Sequence, residues 1–161
     1  MQRTIVDRLV LWICEGFGLG RSPLAPGTVG SLGGLLLAAL FKVLFPTPWQ
    51  YAAATLAVCA VGVPLCSRAT VLLSSKDPQN VVLDEIAAVL LVFVFVGWSW
   101  PAALLGLAMF RALDITKPWP VSALERLPRG WGVMADDLFC GLLASLALYV
   151  LSIIQSQPVG S

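Results

Sequence analysis

The sequence predicts an all-α fold, a polytopic membrane helical bundle with about five apolar segments plus a short N-terminal interfacial helix. Two observations predict it. Of the 161 residues, 58% are hydrophobic and only 12% are charged, whereas soluble domains carry roughly 25% charged residues. Most of the apolar runs also reach the roughly 17–25 residues of a membrane-spanning helix. We therefore expect residues 1–161 to form a single integral-membrane domain.

The N-terminal helix is predicted to lie at the membrane interface, because Asp7 and Arg8 interrupt an apolar stretch that is too short for a signal peptide. The apolar runs that follow give five candidate spans: 29–45, 49–66, 78–97, 100–113 and 137–154. Thr28 or Ser31 is predicted to cap the first span. Asp77 is predicted to cap the third, with Pro78 at its first helical position.

The stretch "GWSWP" at 97–101 decides the predicted topology, because residues 86–110 could form one long span or two helices broken there. A break, with Ser99 or Trp100 near the cap, gives five spans. It places the segments 1–28, 67–77 and 114–136 on one side of the membrane. The cost of burying charges in lipid favours the break.

Charge is then distributed very unevenly between the two sides. All nine acids lie on one side, with nine of the ten basic residues: Arg3, Arg8, Arg21, Arg68, Lys76, Arg111, Lys117, Arg126 and Arg129. Only Lys42 lies towards the other side. Positive charge favours the cytoplasm, so the C-terminal tail is expected outside. Trp49, Tyr51, Trp98 and Trp100 then cluster at the opposite interface, as an aromatic belt would.

Composition excludes several kinds of chemistry. There is no histidine, which removes the Ser-His-Asp triad and the usual His zinc sites. The four cysteines form no C-x-x-C pair and are expected to be small buried hydrophobes. A net charge of +1 without a basic cluster gives no sign of a nucleic-acid partner.

Four polar clusters lie at predicted membrane boundaries, in residues 16–32, 77–88, 110–120 and 130–141. Each also has a simpler interpretation. The glycine-rich cluster could be an ordinary helix start, and the acidic pair at 84–85 could be an interfacial salt bridge to Arg68 or Lys76. The third could be a solvated helix end, and the aspartates of the fourth could be helix caps. The five-span topology brings all four to one boundary.

Five carboxylates would meet at that boundary: Asp84, Glu85, Asp114, Asp136 and Asp137. Oxygen ligands without His or Cys suit Mg²⁺ rather than zinc. Arg111 and Lys117, together with free amides at a helix start, would complement an anion. Carboxylates, a hard metal and anion-binding cations together indicate phosphoryl chemistry.

These residues resemble the phosphatidylglycerophosphatase A family. The matching motifs are "APGTVGSL", "VVLDEIA", "FRALDITKPWP" and "GWGVMADDLFCG", in the family's order between residues 16 and 141. Two positions depart from the family's usual pattern: Ala88 stands where a glycine is common, and Cys140 where an alanine is common. Both residues are small and apolar, so the departures bear on close packing more than on chemistry.

The resemblance implies a Mg²⁺-dependent lipid phosphatase in the bacterial cytoplasmic (inner) membrane, with its site facing the cytoplasm. The substrate would be phosphatidylglycerol phosphate, whose terminal phosphomonoester is hydrolysed to give phosphatidylglycerol. By motif position, Thr28 and Ser31 belong to the family's glycine loop, and Arg111, Asp114 and Lys117 belong to its third motif. Six residues are predicted to bind the phosphate: Gly27, Thr28, Gly30, Ser31, Arg111 and Lys117.

The mechanistic hypothesis is direct attack of a metal-activated water on phosphorus. Asp84, Asp136 and Asp137 are the predicted metal ligands. Glu85 is a further candidate ligand and the first candidate for the general base, with Asp114 as a second candidate base or ligand. Asp84 and Asp137 thus count among the catalytic residues as well.

Two other classes of membrane protein compete with a hydrolase. A cation-coupled transporter or channel could use membrane carboxylates, but it should place polar groups near mid-membrane, often in repeated halves. The acids here lie at one boundary instead. A lipid phosphotransferase is the third possibility, and its usual signature, D-G-x₂-A-R followed by G-x₃-D-x₃-D, is absent from the sequence.

Overall fold

All regular secondary structure is helical in residues 3–124, 126–128 and 130–156, the ranges that the computed structural model describes. The elements are α1 (Ile5–Cys14), a 3₁₀ segment (Gly16–Arg21), α2 (Pro26–Leu44), α3 (Pro48–Leu73), α4 (Leu83–Val92), α5 (Trp100–Thr116), α6 (Val121–Leu124) and α7 (Gly130–Ser156). The all-α prediction is therefore confirmed for these ranges. The predictions of a membrane side for Arg129 and for the C-terminal tail beyond residue 156 concern residues outside these ranges.

Three helices, α2, α3 and α7, are long and apolar enough to cross a membrane. At 1.5 Å per residue, even the 19 residues of α2 extend about 28 Å, close to the roughly 30 Å of a bilayer core. Their outer faces carry large apolar side chains: Leu36 is 69% exposed, Val43 is 77% exposed and Leu56 is 61% exposed. Lipid would cover these faces, so the structure supports a membrane location.

The predicted break at 97–101 is present, but the predicted count of five spans is not confirmed. α4 and α5 are separate helices, and the chain between Val92 and Trp100 is not helical. α4 has ten residues, or about 15 Å, roughly half of a bilayer core. α5 has 17 residues and ends in the motif that begins at Phe110.

The predicted start of the third apolar run at Pro78 is wrong, because α4 begins at Leu83. The backbone of residues 78–82 finds other partners. The Val81 N–H donates to the Pro78 carbonyl at 2.9 Å, and the Val82 N–H donates to the carbonyl of Cys14 at 2.9 Å. The loop therefore docks against the end of α1 before α4 begins.

Two of the predicted caps are also corrected. α2 begins at Pro26 with Ala25 as its N-cap, so neither Thr28 nor Ser31 caps it; proline fits the first helical position because its φ is already fixed. α7 begins at Gly130, which places Asp136 and Asp137 inside the helix.

The predicted cap at Ser99 is confirmed. Its hydroxyl accepts a hydrogen bond from the Ala102 N–H at 3.3 Å, at the start of α5. This is the usual geometry of a serine N-cap, in which the side chain satisfies one of the free amides of the first turn.

α4 lies at the centre of the bundle, in contact with α2, α3, α5 and α7. Its far end is closed by two side chains. Lys42 Nζ donates to the carbonyls of Phe93 and Val96, at 2.7 Å and 2.9 Å, and Tyr51 Oη donates to the carbonyl of Leu90 at 2.9 Å. Tyr51 is consequently buried and does not face lipid as an aromatic-belt residue would. Trp49 and Trp100, by contrast, are exposed.

α1 is fixed to α3 by an ion pair. Thr4 and Asp7 form a capping box at the start of α1, and Arg68 Nη2 donates to Asp7 Oδ1 at 2.8 Å. The hydrogen bonds from Arg68 and Thr4 hold the pKa of the Asp7 carboxyl below its ordinary value. Asp7 therefore stays charged and paired at neutral pH, and α1 keeps a fixed orientation.

Candidate active site

A polar cavity of about 500 Å³ lies where α2, α4, α5 and α7 come together with the loop before α4. The cavity is lined by residues from all four helices and from that loop: Ala25, Pro26, Gly27, Lys76, Asp77, Pro78, Gln79, Val81, Asp84, Glu85, Arg111, Asp114, Lys117, Gly132, Val133, Asp136 and Asp137. All five carboxylates predicted to meet at one boundary are among them. Residues as far apart in the sequence as Ala25 and Asp137 thus share one site.

Three carboxylates form the centre of this site. Asp84 and Glu85 lie in the first turn of α4, and Asp137 lies in the second turn of α7. One oxygen from each of the three lies within 4.8 Å of the other two. Asp84 and Asp137 are almost fully buried, and the first helical turn orients Asp84 so that its Oδ1 accepts from the Glu85 N–H at 3.0 Å.

The two cations of the third motif each pair with an acid of the cavity. Arg111 Nη1 donates to Asp114 Oδ2, one turn later on α5. Lys117 Nζ donates to Asp136 Oδ2 on α7 at 2.7 Å. The three-residue spacing in "FRALDITK" places Arg111 and Asp114 on one face of α5. Lys117 is the C-cap residue just after the helix, and all three border the cavity.

The cavity carries an excess of negative charge. Among the described residues, its lining holds six carboxylates and three cations, a formal charge of −3. Three buried polar atoms there also have no hydrogen-bond partner among the described residues: Glu85 Oε2, Asp136 Oδ1 and Arg111 Nε. Buried carboxylates at such density are costly unless a cation offsets them. The donor set, all oxygen with no His or Cys, fits a hard divalent cation such as Mg²⁺.

The residues of the glycine-rich motif occupy different positions. Gly27 borders the cavity, and a Cβ built there would collide with Glu85 Oε1. Ser31 lies one turn deeper; its Oγ donates to the Gly27 carbonyl at 2.7 Å and accepts from Arg111 Nη1 at 3.4 Å. Gly30 packs against Val82 instead, and Thr28 is exposed. Of the four residues of this motif that were predicted to bind phosphate, Gly27 lines the cavity and Thr28, Gly30 and Ser31 do not.

The structure does not support the simpler interpretation that Arg68 pairs with the acidic pair of α4. Arg68 pairs with Asp7. Sequence reasoning placed residues 77–88 in one of the four clusters but gave no role in the site to the loop residues that line the cavity, Lys76, Asp77, Pro78, Gln79 and Val81. The signal that could have found them is position, since this charged loop directly precedes the acidic pair and could have been expected to close over it.

Fold and site define a class of protein, an all-helical membrane enzyme with an acidic cavity suited to phosphoryl chemistry. Residues 12–152 match the model of the family Phosphatidylglycerophosphatase A. The chain belongs to that family, and it is a phosphatase.

Curated relatives agree with this assignment over most of the chain. The Phosphatidylglycerophosphatase A of Escherichia coli (strain K12) is 34% identical over 142 residues, covering 85% of this chain and 80% of the relative. The protein of the same name from Haemophilus influenzae is 32% identical over 141 residues, covering 86% of each chain. A Bacteroides thetaiotaomicron protein named "Putative phosphatidylinositol-3-phosphatase" is 34% identical over 152 residues, covering 88% of this chain and 92% of the relative. No solved structure matches the chain.

Proposed function

We propose that this chain is a Mg²⁺-dependent phosphatase that removes the terminal phosphomonoester of phosphatidylglycerol phosphate and leaves phosphatidylglycerol. The observation that carries the proposal is the cluster of Asp84, Glu85 and Asp137, whose oxygens lie within 4.8 Å of one another, beside Arg111 and Lys117 in one cavity. The names of two relatives supply the substrate, and the cavity supplies groups for both the phosphate and a metal.

Mg²⁺ would be held by Asp84 and Asp137, with Glu85 or Asp136 completing the protein ligands. When bound, it would offset the negative charge of the cavity and lower the pKa of a coordinated water. In the strongest cases a metal ion lowers the pKa of such a water to about 7. Without that offset, the formal charge of −3 in the lining would repel a phosphate dianion.

The chain's own residues would bind the phosphate and manage protons. Arg111 and Lys117 would hold the phosphate oxygens and stabilise the charge that gathers there in the transition state. Glu85, whose Oε2 has no partner among the described residues, would accept a proton from the attacking water; Asp114 is the second candidate. The water oxygen forms the new bond to phosphorus, and the bond to the glycerol oxygen breaks. The leaving alkoxide must take up a proton, which balances the one the water lost.

The proposal includes a membrane arrangement. Five segments would cross the membrane: α2, α3, α4 with the turn after it, α5 and α7. α1 would lie at the interface. The cavity would face the cytoplasm, because the predicted five-span topology puts nearly all basic residues on the side of the cavity and positive charge favours the cytoplasmic side. In this arrangement the headgroup enters the cavity while the acyl chains remain in the lipid.

The test of the metal role is Asp137→Asn, with Asp77→Asn as its control. Both changes remove one carboxylate from the cavity lining, but only Asp137 belongs to the close trio. We expect phosphate release from phosphatidylglycerol phosphate to fall on the order of 10²-fold or more for Asp137→Asn. Asp77→Asn should keep most of the activity. The measurement is phosphate release by folded, detergent-extracted protein across a Mg²⁺ titration.

Unchanged activity of Asp137→Asn at every Mg²⁺ concentration would refute the role assigned to Asp137. Phosphatidylinositol 3-phosphate should be assayed in parallel, since one relative is named for that lipid. Faster release from it than from phosphatidylglycerol phosphate would move the proposal to a different headgroup. Neither the comparisons nor the placement of the acids supports the transporter alternative.

A further inference from the structure

A second concave site lies away from the acidic cavity, against the outer side of α1. It has a volume of about 390 Å³, and we refer to it as the α1 groove. Three arginines line it, Arg3, Arg8 and Arg21, together with one acid, Glu15. Its formal charge is therefore +2, opposite in sign to that of the acidic cavity. Nothing in the proposed reaction uses these arginines.

α1 is apolar on the side that faces away from the protein. Its buried residues, Asp7, Leu11 and Cys14, recur at helical spacing. A second apolar stripe of Ile5, Leu9 and Trp12 recurs at i, i+4 and i+7 and lies nearly opposite. Ile5 is 78% exposed, Leu9 is 51% exposed and Trp12 is 46% exposed. Since all three also line the α1 groove, the groove joins an apolar stripe to a cluster of arginines.

The position of α1 is fixed by contacts on its inner side. Arg68 binds Asp7, and the Cys14 carbonyl accepts from the Val82 N–H. Arg21 Nε donates to Glu15 Oε2 at 2.7 Å, which neutralises the one acid among the described residues that line the groove. Arg8 makes no hydrogen bond or ion pair with the described part of the chain, and Arg3 makes one long hydrogen bond, 3.5 Å to the Leu72 carbonyl. Their charges remain available to a ligand.

We propose that the α1 groove binds the headgroup of an anionic phospholipid from the surrounding leaflet. The phosphodiester would lie between Arg3 and Arg8, and an acyl chain would follow the stripe of Ile5, Leu9 and Trp12. Arginine suits this ligand because its planar guanidinium binds two phosphate oxygens at once. Basic residues next to an apolar helix face are the usual combination in helices that bind anionic membranes.

The experiment measures lipid retention by the full chain in mild detergent. Dioctanoyl phosphatidylglycerol is titrated in, and the lipid-bound fraction is followed by native mass spectrometry. Arg8→Gln is compared with Arg126→Gln, which removes the same charge from an exposed residue outside both cavities. We expect the half-saturating lipid concentration to rise about fivefold for Arg8→Gln and further for Arg3→Gln/Arg8→Gln. Arg126→Gln should match the unmodified protein.

The titration contains its own controls. Any lipid held in the acidic cavity contributes equally to the unmodified protein and to Arg8→Gln, so their difference isolates the groove. Dioctanoyl phosphatidylcholine should bind more weakly and should not respond to Arg8→Gln, and inorganic phosphate at the same concentration should not displace the lipid. Equal losses for Arg8→Gln and Arg126→Gln, or equal binding of the two lipids, would overturn the proposal. Because the titration measures no hydrolysis, a failure of the lipid-binding proposal can be distinguished from a failure of the proposed phosphatase function.

Discussion

Gly27 is the residue that most directly connects the glycine-rich motif to the acidic centre. A Cβ at this position would collide with Glu85 Oε1 and come within 3.4 Å of Arg111 Nη1. The atoms in the way are the ends of flexible side chains, which can move without disturbing the helices. A side chain at position 27 would therefore displace the proposed general base and a phosphate-binding group while leaving the fold intact.

Gly27→Ala should accordingly separate activity from stability. We expect kcat/KM for phosphatidylglycerol phosphate to fall at least tenfold, because Glu85 and Arg111 must leave their positions. The melting temperature should change by no more than about 2 °C, because only the flexible ends of two cavity side chains have to move. Gly97→Ala is the control, since a Cβ there meets open space. Equal activity of the two variants would contradict the placement of Glu85.

The sequence was a better guide to which residues line the cavity than to which of them form ion pairs with each other. The acids and cations were recognisable from their spacing at the ends of apolar runs. The pairing of Lys117 with Asp136 could not be predicted, because it joins two helices whose relative rotation depends on packing. The backbone of Ala25, with φ of 45°, was equally unpredictable, since alanine rarely adopts the left-handed region.

Between elements, α4 and α7 approach each other closely at Gly141. A Cβ at Gly141 would meet the backbone of Ala88, with its Cα 3.2 Å away. Ala88 and Cys140 are both fully buried. These are the two positions that depart from the family's usual residues, and the structure accommodates both. Small residues at such a contact let two helices approach closely, which is a common basis of helix association in membranes.

Gly141→Ala should destabilise the protein, because backbone atoms of α4 would have to move. Overpacking of this kind costs about 1–3 kcal/mol. We expect a melting temperature several degrees lower in a fixed detergent, with Gly97→Ala unchanged. Asp84 and Asp137 lie on these same two helices, so activity should fall along with stability. A melting temperature equal to that of the control would mean that α4 and α7 are farther apart than described.

The start of α5 was predicted correctly, and the start of α4 was not. Ser99 caps α5 as expected, because serine next to proline favours a helix start regardless of the rest of the fold. The start of α4 was placed at Pro78 from an equally good local signal. The Val82 N–H instead donates to the Cys14 carbonyl, so the helix begins only after Val82. A contact between such distant segments cannot be predicted from the local sequence.

For the molecule as a whole, the uneven distribution of charge was the most informative feature of the sequence. It placed the clusters at 16–32, 77–88, 110–120 and 130–141 at one boundary, and residues from all four line or adjoin the cavity. Lys42, predicted to lie towards the other end, caps the far end of α4. Composition could not predict how short α4 is, because apolar residues continue on both sides of it.

Sidedness can be tested by cysteine labelling in intact cells or sealed vesicles. Gln79→Cys and Ser122→Cys place thiols at exposed positions near the proposed cytoplasmic end, and Gly97→Cys places one at the other end. The four native cysteines are buried, so background labelling should be low. We expect a membrane-impermeant maleimide applied from outside to label only Gly97→Cys. Labelling of Gln79→Cys and Gly97→Cys from the same side would contradict the proposed topology.

The hydrogen bond between the end of α1 and the loop before α4 has a consequence for how the protein folds during its synthesis. Asn80 Nδ2 donates to Glu15 Oε1 at 2.9 Å, across 65 positions of chain. A ribosome adds about 5–20 residues per second, so α1 waits on the order of several seconds before its partner emerges. During that interval α3 is also completed, so Arg68 can pair with Asp7 before the loop is present. The N-terminal helix is thus held near its start before it is held at its end.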